Sequence, residues 1–188
     1  MINLVQSRVL DLGEEGFVRG LRDSGLVEGV DFTLHRYNAQ GEISQLPTML
    51  DAAKNISPDI LLTLTTPAML AAAKREQEIP IVFTIASDPV ALGTFTRQTV
   101  PGNLTGVHDD PPVDRLLDMA MERHAGLEKV GIVYDPSQPN AVLSVVKLRG
   151  ACAKKNVKLA EATASALSEL STAVQSLIQQ GIGALLLS

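Results

Sequence analysis

Short apolar runs rich in β-forming residues alternate with helical segments along most of the chain, and that order leaves few architectures open. "DILLTLT" (59–65), "IPIVFTIA" (79–86), "KVGIVYD" (129–135), "VKLAEA" (157–162) and "GALLLS" (183–188) have the length of strands rather than of buried helices. Between and around them lie "ISQLPTMLDAAKNIS", a helix opened by Pro67, "VDRLLDMAMERHAG", "NAVLSVVKLRGACAKKN" and "ALSELSTAVQSLIQQG", each with helical character. Strand, helix and strand in repeated succession across short links predict an α/β fold whose parallel sheet is covered by helices on both faces. "IPIVFTIA", bounded by Pro80 and by Ser87-Asp88, reads as a fully buried strand.

The alternation begins with a helix over "LDLGEEGFVRGLRDSG", where Leu10, Phe17 and Leu21 share a face and Gly25 supplies the stop. "VDFTLHRYNA" then alternates Phe32, Leu34 and Arg36 with Thr33, His35 and Tyr37, the pattern of an extended segment. Regularity breaks at "TRQTVPGNLTGVHDDPPVD", where Pro101, Gly102, Gly106, Pro111 and Pro112 mark a long connection. This connection is read as the boundary between an N-terminal lobe, 1–106, and a C-terminal lobe, 107–188. The second lobe ends on an apolar strand without a helix to cover it, so it reads as partial, or as covered by something else.

A chain of 188 residues has room for two such lobes. Its net charge of -5, with acids and bases interspersed, offers no footprint for nucleic acid or anionic lipid. The lone Cys152 excludes an intrachain disulfide and any site that needs paired cysteines, and reads as a space-filling helix residue. No apolar run approaches the roughly 20 residues of a membrane span. The first residues do not read as a signal peptide, which fits either a cytosolic protein or a mature or trimmed form.

Three strands end alike: Thr65-Thr66-Pro67, Ser87-Asp88-Pro89 and Tyr134-Asp135-Pro136-Ser137 each set hydroxyl or carboxylate groups and a proline before an expected helix. Each is a sound helix start by itself, since Thr, Ser and Asp cap and proline is tolerated in a first turn. Together they occupy the carboxyl ends of parallel strands, where helix N-termini leave N–H groups free for a ligand. Such N-termini suit a carboxylate, and Asp88 suits an ammonium group. Asn140 either caps its helix or hydrogen-bonds ligand.

Reactive machinery is not indicated. There is no glycine-rich dinucleotide or phosphate loop and no nucleophile elbow, so neither a nucleotide cofactor nor a catalytic serine is expected. His35, His108 and His124 lack metal-ligand spacing, and Asp109-Asp110 before Pro111-Pro112 reads as a solvated helix start. Sugar binding is disfavoured by the lack of Trp and the scarcity of aromatics for stacking.

In order along the chain, "EEGFVRGLRDSGLVEGVDFTLHRYNAQGE", "LLTLTTPAMLAAAK", "IPIVFTIASDPVALG", "PGNLTGV" and "EKVGIVYDPSQPNAV" resemble the ABC-transporter substrate-binding proteins, in the family that includes tryptophan-binding lipoproteins. The resemblance implies the type I periplasmic binding protein fold, two Rossmann-like lobes closing on a small amino-acid-like solute, and delivery to ABC permease subunits in the membrane. It implies an extracytoplasmic protein that is not an enzyme and needs no cofactor. Carried over by position, the ligand contacts are Thr65, Thr66, Ser87, Asp88, Tyr134, Ser137 and Asn140, with Gln6 and Ser7 as further candidates. Relative to the family, "MINLVQS" leaves room for only a short first strand and the returning segments of the second lobe are missing, so a fragment or shortened product is expected. A ligand-sensing domain of a regulator with the same fold is the alternative.

Overall fold

A computed structural model describes residues 1–186; Leu187 and Ser188, the end of the run expected as a last strand, lie outside the described residues. The chain divides into two compact units, Met1–Asp109 and Asp110–Ser188. The boundary expected between residues 106 and 107 falls inside a strand.

The first unit runs β1 (Ile2–Asn3), α1 (Arg8–Asp23), β2 (Tyr37–Asn38), a short 3-10 turn and α2 (Leu46–Lys54), β3 (Leu61–Leu64), α3 (Thr66–Arg75), β4 (Ile81–Ala86) and β5 (Leu104–His108). Its five strands are parallel, in the order β2-β1-β3-β4-β5. This is a doubly wound order whose direction reverses between β1 and β3. Alternate residues of the strands feed two apolar layers. Leu61, Ile81, Phe83 and Leu104 pack with Leu46, Leu50, Ala68 and Met69 of α2 and α3, while Leu62, Leu64 and Val82 pack with Leu10 and Phe17 of α1. Full burial of a Leu, Ile or Met such as Leu64, Ile81 or Met69 contributes about 1.5–3 kcal/mol. α1 begins where Ser7 Oγ accepts the Leu10 N–H at 3.4 Å and ends where Gly25 takes φ +87°.

The second unit runs α4 (Val113–Arg123), β6 (Lys129–Tyr134), α5 (Pro139–Lys155), β7 (Lys158–Thr163), α6 (Leu167–Gln179) and β8 (Ala184–Leu186), with a parallel sheet ordered β7-β6-β8. Val130 and Ile132 face Leu117, Val145 and Leu148, and Val133 faces Ala173 and Leu177. Cys152 is buried among the α4–α5 contacts, and burial raises its thiol pKa.

Four details differ from expectation. The supposed long connection contains β5, an edge strand with Leu104 buried and the rest exposed. Its Gly106 lies so close to β4 that a Cβ there would overlap Phe83 O and sit 2.6 Å from Phe83 Cγ; the glycine that reads as a loop signal is a packing requirement. "VDFTLHRYNA" contributes only Tyr37 and Asn38 to the sheet, because β1 offers a ladder of two residues. β4 is not fully buried but alternates, with Ile81 and Phe83 inside and Val82 and Thr84 partly exposed. After Ser87-Asp88-Pro89 comes a series of turns, not a helix.

Candidate functional site

In the first unit, Thr65, Thr66, Ser87 and Asp88 follow β3 and β4 directly, so the parallel sheet delivers all four to its carboxyl end. Thr66 opens α3, yet its hydroxyl is not a cap: Thr66 Oγ1 accepts the Ser87 N–H at 3.0 Å in a buried contact. The oxygen is used as an acceptor, and the hydroxyl proton remains to be donated. Thr65 is the N-cap residue but makes no side-chain cap bond, and it holds φ +92°, ψ 148°. That conformation is close to a region reserved for glycine, and such strain concentrates at ligand clamps. Thr65 Oγ1 is buried and has no hydrogen-bond partner among the described residues. Asp88 is partly exposed; its Oδ1 accepts the Val90 N–H at 2.8 Å, and its carbonyl accepts the Leu92 N–H at 3.0 Å. This side-chain turn occupies the place of the expected helix start.

Gln6 is exposed on the loop that leaves β1, beside the point where the strand order reverses. Ser7 caps α1, so its hydroxyl has a structural role. A separate hollow of about 520 Å³ lies between Phe17, Leu26, Phe32, Leu34 and Ile60, toward the amino ends of the strands, and includes none of the expected residues.

In the second unit, a cavity of about 290 Å³ opens at the carboxyl end of β6, lined by Tyr134, Asp135, Gln138, Asn140, Ala164 and Leu170 among others. Tyr134 packs against the core cluster of Val130, Ile132 and Val145, and its hydroxyl donates to Glu161 Oε2 at 3.5 Å. Arg149 holds Glu161 through two bonds of 2.6 and 2.7 Å, and this guanidinium is the main reason the Glu161 pKa is lowered. Asn140 lies in the first turn of α5 just after Pro139, where Gln138 is the N-cap; the capping alternative is therefore removed. Its Oδ1 is buried and has no hydrogen-bond partner among the described residues.

Ser137 lies on the loop after β6. It does not line the cavity; its N–H and its hydroxyl both donate to Asp135 Oδ1, at 2.9 and 2.8 Å. The same Asp135 oxygen receives the Ser165 hydroxyl at 3.4 Å, tying the loop after β7 to the loop after β6. The Ser137 N–H is the leading cause of the lowered Asp135 pKa. Asp135 is thus an organiser of the loops, a role signalled in the sequence by the turn-forming Asp-Pro-Ser. Among the described residues no cluster of three His, Cys, Asp or Glu is arranged to hold a metal.

The family model described as ABC transporter substrate binding protein matches residues 1–188. A tyrosine-binding protein of Clostridioides difficile is 28% identical over 176 residues, which is 93% of this chain and 51% of that protein. Among solved structures, a conserved domain protein of Vibrio cholerae superposes with TM-score 0.87 at 30% identity, covering 95% of this chain and 61% of that one. A Streptococcus pneumoniae ABC domain in complex with L-Trp superposes with TM-score 0.89 at 20% identity, covering 100% of this chain and 63% of that one, a likeness of fold. The chain spans about half the length of the curated relative it matches. It belongs to the ABC transporter substrate binding protein family.

Proposed function

We propose that this chain is the solute-binding part of an ABC importer, that it holds a small amino-acid-like solute without transforming it, and that it works outside the cytoplasmic membrane with permease subunits as partners. Thr65, Thr66, Ser87, Asp88, Tyr134, Asn140 and Gln6 are the proposed contacts. The observation that carries this reading is the pairing of chemistries after β3 and β4. Hydroxyl donors of Thr65, Thr66 and Ser87 gather at the first turn of α3, which favours a carboxylate, and the Asp88 carboxylate nearby favours an ammonium. The strained backbone and unsatisfied hydroxyl of Thr65 support a residue set up for a guest. The tyrosine-binding name of one relative and the L-Trp complex of another support an amino acid as the class of solute. Ser137, committed to Asp135, is proposed only as a support of the turn.

A thermal-shift panel of the common amino acids tests the reading, followed by calorimetry on Asp88→Ala and Thr66→Ala. A true solute present at a hundredfold excess over its Kd adds about 2.7 kcal/mol of stability. Both variants are expected to weaken its binding tenfold or more. Failure of every amino acid to stabilise the protein, or unchanged binding by both variants, overturns the proposal.

A further inference from the structure

Ile85 holds φ +51°, a left-handed conformation that a β-branched residue rarely adopts. Up to Phe83, β4 is regular: Ile81 and Phe83 pack toward α2 and α3, and Val82 packs toward α1. Pleating alone would send residue 85 to the side of Phe83 and residue 86 to the side of Val82. The reverse is found. Ile85 packs with Val82 against the α1 layer, and Ala86 packs with Phe83.

The backbone hydrogen bonds invert at the same place. Ile81 N donates to Asn103 O at 2.7 Å on the β5 side, and Thr84 O accepts from Thr65 N at 3.4 Å on the β3 side. Continued regularly, that pattern would turn the Ser87 N–H toward β5. Instead Ala86 O accepts from Asp109 N at 2.8 Å on the β5 side, and the Ser87 N–H reaches Thr66 Oγ1 at 3.0 Å. The register with β5 shifts between Phe83 and Ala86, the mark of a bulge.

The flipped side chain has a prepared seat. A Cβ on Gly13, inside α1, would overlap Ile85 Cδ1 and lie 3.3 Å from Ile85 Cγ1 and 3.6 Å from Leu64 Cδ2. Glycine weakens a helix interior relative to alanine, so its presence here is accounted for by the room it gives Ile85. We infer that Ile85, seated in the notch of Gly13, is a positioning residue that inverts β4 and thereby sets the Ser87-Asp88 segment against Thr66; its effect on solute affinity rests on the solute-binding reading above.

Hydrogen exchange of the Ser87 amide in solute-free protein tests the lock, with the Ile81 amide as internal reference. Gly13→Ala is expected to accelerate Ser87 exchange at least tenfold and to leave Ile81 unchanged. Adding Ile85→Val, which removes the overlapping Cδ1 and keeps the branch, is expected to bring Ser87 back to within threefold of the parent. Unchanged Ser87 exchange in Gly13→Ala, or equal acceleration at Ile81, overturns the inference. Should Gly13→Ala fail to fold, Ile85→Gly carries the test, because it allows the positive φ and removes only the seated side chain. Faster exchange at Ser87 alone supports the lock, and no change there overturns it. In calorimetry with L-tyrosine and L-tryptophan, affinity is expected to fall tenfold or more in Gly13→Ala and to return in the double variant. If the parent binds neither, the solute-binding reading is what fails, and the exchange result still decides the lock.

Discussion

The backbone N–H of Ser87 and the hydroxyl oxygen of Thr66, 21 positions apart in the chain, are joined by a buried hydrogen bond of 3.0 Å that fastens the loop after β4 to the first turn of α3. Thr66→Val leaves the Ser87 donor without its acceptor in a buried place, which costs about 1–3 kcal/mol. Thr66→Ser keeps the oxygen and is expected to cost less. Urea unfolding of the two variants beside the parent checks the order.

Thr65→Gly separates strain from chemistry. Relief of an unfavourable φ/ψ is worth about 1–3 kcal/mol, set against about 0.5–1 kcal/mol for the added freedom of glycine in the unfolded chain. The variant is expected to be as stable as the parent or up to about 2 kcal/mol more stable, and, on the proposed solute-binding reading, to bind solute more weakly because the hydroxyl is gone. A melting curve and a titration on one preparation read both effects.

Glu76 contributes to the acid response of the first unit. Lys54 Nζ lies 2.7 Å from its Oε2, and the Ile79 and Glu78 N–H groups donate to its Oε1, which together lower its pKa to about 2, the lysine contributing most. A carboxyl whose pKa is lower in the folded state gives stability that is fully present above its unfolded value, near 4.5, and is lost as pH falls toward 2. Glu76→Gln is expected to lower stability at neutral pH by about 1.5–3 kcal/mol, the range for hydrogen bonds to charged groups, and to flatten the decline below pH 4.5. Denaturant midpoints measured from neutral pH to pH 3 test this.

Gly106→Ala places a methyl group on Phe83 O and the Phe83 ring, and β5, at the sheet edge, is expected to yield. Overpacking of this kind costs about 1–3 kcal/mol. The Leu104–His108 amides are expected to exchange faster than those of β3, and equal protection in both strands would refute the packing role.

The succession of strands and helices was legible because buried parallel strands read as unbroken β-rich runs; "KVGIVYD" and "DILLTLT" needed no tertiary information. β5 was hidden because an edge strand needs little apolar surface, and glycine and proline around Leu104 and Val107 carry the same signal as a loop. Asp88-Pro89 looked like a helix start because an Asp caps a helix and closes a turn with the same oxygen-to-N–H bond, and only the residues beyond decide between them. Thr66 read as a cap for a related reason: its true partner, the Ser87 N–H, lies in the loop after another strand. The left-handed backbone of Ile85 had no sequence signal, since β-branching argues against it.

The single Asp135 oxygen shared by Ser137 and Ser165 gives the loops after β6 and β7 a common clasp. Lengthening either loop would therefore disturb the other, and the pair offers one degree of freedom instead of two. On the proposed solute-binding reading, changes of preference in this unit are better directed at Asn140, which lines the cavity and makes no side-chain contact with Asp135 among the described residues.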